Sequence, residues 1–144
     1  MAELQSIREG KMSGRVSQEI TLLKRKYPRL NYHEENSWVV IPNYELPADR
    51  FNMEMTDLHF LIPIGYPNTA PDNFFVNQNL RLSDNQMPPA FSANPNSNTG
   101  QAKAPGNWGW FSWHPDTWRA SSEITKGDNL ASFVRSIGTR LRGG

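Results

Sequence analysis

Ser112, His114 and Asp116 are spaced two residues apart in the stretch GNWGWFSWHPDTW, which spans residues 106–118. A serine hydroxyl becomes a useful nucleophile when a neighbouring base accepts its proton, and a carboxylate can hold that base in orientation. In an extended backbone, side chains at i and i+2 project to the same side. The spacing therefore predicts that Ser112 and His114 lie side by side, with Asp116 orienting the imidazole. Because Pro115 interrupts this register, Asp116 is the weaker member of the set.

The same stretch holds four of the chain's five tryptophans, Trp108, Trp110, Trp113 and Trp118. Trp110 and Trp113 flank Ser112, and tryptophan is enriched at interfaces, so we expect these two to form an exposed binding patch. We expect Trp108 and Trp118 to belong to the core. An unrelated binding module that stacks sugars or bases on Trp110 and Trp113 remains an open alternative.

The composition limits the classes of function that fit. The chain has 144 residues, a mean hydropathy of −0.67 and a formal net charge of +1, which predicts one globular domain without the charge footprint of a protein that binds nucleic acid or an anionic membrane. No apolar run approaches the roughly 20 residues of a membrane span. The absence of cysteine excludes disulfides, thiolate catalysis and cysteine-zinc sites, and it fits a cytoplasmic protein. The three histidines are too far apart in sequence to predict a metal site, and no cofactor is expected.

A helix is predicted in the first thirty residues. From Val16 onwards, apolar side chains recur at i, i+4, i+7 and i+11, which is the spacing of one helical stripe. Ser13 can cap the start of this helix, and Pro28 ends it because proline lacks the N–H group. Residues 1–12 are predicted to be a flexible leader, followed by a single domain over residues 13–144.

Four short strands are predicted next. They cover residues 38–41, 51–55, 57–63 and 73–76. Their alternation of apolar and polar residues is typical of an antiparallel meander with one buried face, and Pro42 is expected to end the first strand. His59 is expected to be a solvent-facing or hydrogen-bonded edge residue.

Residues 77–117 show no convincing period, and segments of this length are often functional in a compact domain. The pattern becomes helical again over Gly127–Leu141, with Asp128 as the expected N-cap. The predicted fold class is therefore α+β. Its order is an N-terminal helix, an antiparallel meander of about four strands, a long irregular segment that carries the candidate site, and a C-terminal helix.

Two charged segments have alternative interpretations. The basic run at residues 24–26 is either a solvated helix end or a docking surface for a partner. The RLRGG sequence at residues 140–144 has the form of a conjugatable tail of a ubiquitin-like protein, but a basic last turn followed by glycine is also a common helix ending.

The segment LHFLIPIGYPNTAPDNFFV, residues 58–76, resembles the strand–turn–strand signature of the ubiquitin-conjugating enzyme (UBC) fold. The residues that carry this likeness are Tyr66, Pro67, Pro71, Phe74 and Phe75. The turn chemistry explains such a motif, since Gly65 permits a positive φ, Pro67 fixes φ, and Pro71 stops sheet pairing.

Within that fold, the chain resembles the prokaryotic ubiquitin-conjugating-like family E over about residues 13–141. The matching elements are Gly65, Tyr66, Pro67, Pro71, Asp72 and Phe74, then Phe111, Ser112, Trp113 and His114, then Trp118 with Arg119, and Asp128 with Leu130. The resemblance implies transfer of the C-terminus of a ubiquitin-like protein from an activating-like enzyme to a target amine or hydroxyl. The implied partners are that enzyme and that modifier.

Two departures from the pattern bear on the chemistry. The His-Pro-Asn motif that eukaryotic relatives have is missing after Phe75. The nucleophilic cysteine is also missing; in the family it falls shortly before the position of Trp118. Only Ser112 offers a nucleophile there, so the resemblance implies a serine oxyester, less reactive than a thioester. Backbone amides or the side chain of Asn107 would have to stabilise the oxyanion, and the tryptophans would exclude water.

Two other interpretations of the missing cysteine stay open. The chain is either a non-catalytic UBC-fold module that binds an activating enzyme or a ubiquitin-like partner, or a chain whose cysteine was replaced. Fold alone does not separate these from the serine oxyester, because one fold hosts different functions.

Overall fold

The computed structural model describes residues 2–93 and 108–143 of the chain, with side chains from residue 14 onwards. Its elements, in order, are α1 (Ala2–Lys26), β1 (Asn31–His33), β2 (Trp38–Glu45), β3 (Met55–Leu61), β4 (Phe74–Asn77), β5 (Phe91–Ser92), β6 (Trp108–Phe111) and α2 (Leu130–Leu141). A helix at each end of the chain and an antiparallel sheet between them confirm the predicted α+β class.

The six strands form one sheet in the order β1-β2-β3-β4-β6-β5, with every neighbouring pair antiparallel. The first four strands follow one another as a meander, as predicted. β6 then lies between β4 and β5, so the segment expected to be irregular contributes two short strands. Through β6, the stretch that carries Ser112 is held against the centre of the sheet.

The main core lies on the face of the sheet that the helices cover. α1 contributes Ile20 and Leu23, and α2 contributes the apolar stripe that begins at Leu130 and includes Phe133. The Phe133 ring meets the ring of Phe60, in β3, edge-on at a centroid distance of 5.2 Å. Burial of such side chains is worth about 1.5–3 kcal/mol each, so the helices are fixed to the sheet chiefly by this core.

A smaller aromatic cluster lies on the opposite face of the sheet, here called the outer cluster. Trp38 and Phe75 are its buried members, with their rings edge-on at 5.2 Å. Leu61, Trp108 and Trp110 pack against them. Alternation along each strand explains the division, since neighbouring residues point to opposite faces.

Helix α1 begins much earlier than the sequence pattern predicted. It extends from Ala2, so Ser13 lies inside the helix and does not cap it. Residues 2–12 are mostly good helix formers but carry no apolar stripe, which is why the periodicity did not reveal them. That residues 1–12 behave as a flexible leader stays a prediction.

The predicted strands were wrong at two places. Pro42 lies within β2, where the register with β3 shifts between Ile41 and Tyr44, so its missing N–H costs no ladder bond. Residues 51–54 do not form a strand, and Met55 is the first residue of β3. Phe51 makes an isolated bridge with Leu82, and the apolar alternation there reflects bends packed on the core.

The N-cap of α2 is Asn129 and not Asp128. The Asn129 side chain accepts a hydrogen bond from the Ser132 backbone N–H, and the Ser132 hydroxyl accepts one from the Asn129 N–H, which completes a capping box. Asp128 instead accepts from the Arg119 backbone N–H at 2.8 Å. Asp128 and Asn129 are both residue types that favour the N-cap position, which explains why the sequence pattern placed the cap one residue too early.

Candidate functional site

Ser112 follows directly after β6 and is exposed to solvent. Its backbone N–H donates to the carbonyl of Ala90 at 2.9 Å, which extends the pairing with the β5 side by one residue. His114 is exposed too, while Trp113 between them packs on the main core. The outward–inward–outward alternation places Ser112 and His114 on the same solvent-facing side of the segment. An exposed Ser112 does not match the expectation of a serine shielded by tryptophans.

Asn73 holds this segment in place. The Asn73 backbone N–H donates to the Trp113 carbonyl at 2.6 Å, and the Asn73 side-chain oxygen accepts from the Trp113 N–H at 3.0 Å. Asn73 is 9% exposed and has φ +60°, a left-handed conformation that asparagine tolerates better than most residues. These two hydrogen bonds, here called the Asn73 clamp, join the start of β4 to the residue between Ser112 and His114.

The clamp brings a carboxylate to the imidazole. His114 Nδ1 lies 3.4 Å from an Asp72 oxygen, and the two side chains are 64% and 45% exposed. Asp116, the residue that the sequence analysis assigned to this position, is also exposed, and no ion pair joins it to His114 in the described part of the chain. Asp72 lies in the turn before β4, so the i, i+2 spacing of the segment that carries His114 does not reveal this pairing.

Asp116 instead lines a cleft beside the candidate site. This cleft has a volume of about 290 Å³ and runs along the start of α2. Its lining residues include Trp113, Trp118, Asp128 and Ser136. Neither Ser112 nor His114 lines this cleft, and a role for Asp116 stays a prediction.

The tryptophans divide differently from the prediction. All four are half-buried. Trp113 packs on the main core and donates its indole N–H to the Ser136 hydroxyl at 3.1 Å, so it anchors the segment and is not part of an exposed patch. Trp118 also packs on the main core, as expected, and donates to the Pro67 carbonyl at 2.7 Å. Trp108 and Trp110 both belong to the outer cluster.

His59 is a buried residue of the outer cluster and not the edge residue that was expected. It is 5% exposed, its ring lies 4.0 Å from that of Trp108, and neither ring nitrogen has a hydrogen-bond partner among the residues that the structure describes. Burial lowers the pKa of His59 from 6.5 to about 4. Asp57 opposes this shift and His33 adds to it. At neutral pH the imidazole is therefore uncharged.

A buried carboxylate, Glu19, fixes the turn that leads to Asp72. It is 3% exposed and accepts hydrogen bonds from the Tyr66 hydroxyl at 2.6 Å and from the Leu130 N–H at 2.7 Å. Arg15 adds an ion pair at 2.9 Å. Burial and the Glu19 carboxylate raise the pKa of Tyr66 above its ordinary value. This set, here called the Glu19 network, ties α1, the turn at Tyr66 and the start of α2 to one another.

Sequence patterns did not reveal the roles of Asp72, Asn73 and Glu19. Asp72 did stand in the motif that carried the family resemblance, which was the one available signal. Asn107 and Gly144 lie outside the described residues. Within the described ranges, no group of three His, Asp or Glu side chains is placed to hold a metal ion, and no helix is long and apolar enough to cross a membrane.

Comparison with known proteins adds the family. Neither a search of curated proteins nor a search of solved structures finds a match. The model of one protein family, described as prokaryotic E2 family E, matches residues 22–143. This match covers most of the chain, including the last turn of α1, the whole of α2 and the candidate site, and it confirms the resemblance drawn from residues 58–76 and 111–130. The chain belongs to the prokaryotic E2 family E, and its role is ubiquitin-conjugating-like.

Proposed function

We propose that this chain accepts the C-terminus of a ubiquitin-like protein from an activating-like enzyme and carries it as an ester on Ser112. The observation that carries the proposal is the pairing of His114 Nδ1 with the Asp72 carboxylate, two residues along the chain from an exposed Ser112. Membership of the prokaryotic E2 family E supports acyl transfer as the type of reaction. The chain has no cysteine that could serve instead.

The proposed step begins with attack of the Ser112 oxygen on the activated carbonyl carbon of the modifier. A new C–O bond forms, and the bond between that carbon and the leaving group of the donor breaks. The Nε2 atom of His114 takes the hydroxyl proton and passes it to the leaving group. Since Nδ1 faces Asp72, the carboxylate favours the tautomer with hydrogen on Nδ1, which leaves Nε2 free to act as the base.

Discharge of the ester uses the same chemistry, with the Ser112 oxygen now as the leaving group. An acceptor amine or hydroxyl attacks the ester carbon and gives its proton to Nε2 of His114, the C–O bond to Ser112 breaks, and the serine oxygen takes that proton from His114. An oxyester is less reactive than a thioester. Hydrogen-bond donors to the oxyanion would offset this, and we propose Asn107 as one of them, with Trp110 beside Ser112 contacting the bound modifier.

The test is adduct formation with an activating-like enzyme and a ubiquitin-like protein, together with ATP. Intact-mass spectrometry should show an adduct that resists thiol reductants and is cleaved by hydroxylamine. Ser112→Ala should abolish it, and Ser112→Cys should give an adduct that thiols cleave. The exposed Ser122→Ala is the matched control and should leave the adduct unchanged.

A second candidate function is a non-catalytic module of the same fold. The exposure of Ser112 favours it, because no described group shields an ester from water. This function predicts binding to the same partners, measured by calorimetry, without any adduct. Binding that persists unchanged in Ser112→Ala, together with no adduct in the wild type, would replace the oxyester proposal with this one.

A further inference from the structure

A group of positive side chains surrounds the C-terminal end of α1, far from Ser112 along the sequence. Lys24, Arg25, Lys26 and Arg29, here called the basic rim, are all exposed. Within the described ranges none of the four pairs with a carboxylate. The helix dipole accounts for cations in the last turn, but Arg29 lies beyond the helix and gains nothing from that position.

The basic rim borders a cleft with aromatic walls. This cleft, here called the tyrosine cleft, has a volume of about 550 Å³. It is lined by residues 26–30, which include Lys26 and Arg29, and by residues 42–45. The rings of Tyr27 and Tyr44 lie 6.1 Å apart within it. Both rings are half-buried, so each offers apolar surface that a partner could cover.

A second cleft of about 510 Å³, here called the acidic cleft, carries the opposite charge. Glu45, Asp49 and Glu54 are exposed along its edge, and no ion pair involves them in the part of the chain that the structure describes. Met55, which also lines it, is 49% exposed. Arg50, the nearest cation in sequence, lies over the ring of Phe51.

The two clefts are contiguous, because Glu45 lines both of them. The lining of the two clefts combines tyrosine, proline and methionine with charged groups, and aromatic residues and methionine are enriched at protein interfaces. Cations border the tyrosine cleft and carboxylates border the acidic cleft, so the surface is complementary to itself. A net charge of +1 for the whole chain adds almost no long-range repulsion between copies.

We propose that two copies of this chain pair through this surface about a two-fold axis. The axis would set the basic rim of each copy over the acidic cleft of the other, which makes the same contact twice. The tyrosine clefts and Met55 would meet at the centre. The occupant of this surface is thus a second copy, and the proposal does not depend on chemistry at Ser112.

The first test is the mass of the full chain in solution by sedimentation equilibrium over a range of protein concentrations. The expected result is a monomer–dimer equilibrium whose dissociation constant rises about tenfold or more between low and high salt, because the paired charges are screened. A chain that stays monomeric at every concentration would overturn the proposal. So would a dimer indifferent to salt.

Charge reversal provides a sharper test. Lys26→Glu with Arg29→Glu should give a monomer, and so should Asp49→Lys with Glu54→Lys, because each places like charges together at both contacts. Mixing the two variants should restore a dimer that contains one chain of each, since both contacts are then attractive. A mixture that stays monomeric would contradict the two-fold arrangement.

The matched control reverses two exposed cations outside the surface, Lys126→Glu with Arg135→Glu, for the same change in net charge. This variant should dimerise like the wild type. Far-ultraviolet circular dichroism of all variants verifies that each is folded. Loss of the dimer in the control variant as well would show that net charge, and not this surface, governs association, which would also overturn the proposal.

Discussion

Glu19 and Asp72 are two carboxylates with opposite surroundings. Glu19 is 3% exposed and holds three different donors, whereas Asp72 is 45% exposed and faces an imidazole that is itself largely in solvent. A buried charge is costly unless every lone pair is satisfied, so the Glu19 network must form as the chain folds. An exposed pair contributes under about 1 kcal/mol and can open and close freely.

The comparison separates two tasks within one molecule. The Glu19 network fixes the turn at Tyr66, and this turn leads to Asp72 and Asn73. Asp72 then presents a polar group that solvent and partners can reach. Under the proposed mechanism, stability and chemistry depend on different carboxylates, and variants should affect one without the other.

The largest expected effect is loss of the Glu19 network. Glu19→Ala should lower the free energy of unfolding by about 3–5 kcal/mol, because Arg15 is left as a partly buried charge without its carboxylate partner and the Tyr66 hydroxyl loses its acceptor. Urea denaturation measures the change. The exposed Glu123→Ala should cost at most about 0.5 kcal/mol, and an equal cost for the two would contradict the distinction.

The next effect concerns pH and the buried His59. The folded protein holds this imidazole neutral down to about pH 4, while the unfolded chain binds the proton below about 6.5, so stability falls as the pH drops through that window. The loss should reach about 3 kcal/mol at pH 4. Urea denaturation from pH 8 to 4 should show a steeper fall for wild type than for His59→Phe.

The matched control for that experiment is the exposed His114→Gln, whose pH profile should follow the wild type. Comparing profiles in this way removes the common contribution of the carboxylates. Parallel profiles for wild type and His59→Phe would show that His59 does not carry the dependence.

A smaller effect is expected at the Asn73 clamp. Asn73→Gly keeps the left-handed backbone but removes the acceptor for the Trp113 N–H, which should cost about 1–3 kcal/mol. Asn73→Asp keeps an acceptor and should cost less. Hydrogen exchange of the Trp113 amide reports the bond directly, and slow exchange in Asn73→Gly would mean that the clamp is not what protects it.

The smallest change in stability is expected at the exposed carboxylate. Asp72→Asn should alter the free energy of unfolding by less than about 0.5 kcal/mol but slow adduct formation by roughly tenfold or more, because the imidazole loses its orienting partner. Asp116→Asn should react at close to the wild-type rate. The reverse order of the two rates would return the orienting role to Asp116.

Local spacing determined a large part of this protein. The alternation within residues 111–114 fixed which of those side chains face outwards, and the helical stripe from Val16 fixed the face that α1 buries. The turn signature around Tyr66, together with the short motifs from Phe111 to Leu130, carried the family resemblance that the comparison confirmed. These features depend on neighbours a few residues apart, where the backbone geometry sets the directions.

Tertiary structure alone decided which groups meet. Asn73 and Trp113 are 40 residues apart in sequence, and they bond only because β4 and β6 are paired in the sheet. The same pairing delivers Asp72 to His114. The burial of His59 likewise required Trp108 from β6 to cover a residue of β3. The periodicity within one strand does not reveal how that strand pairs with another one distant in the chain. For this physical reason the spacing pointed to Asp116, while the fold placed Asp72 beside the imidazole.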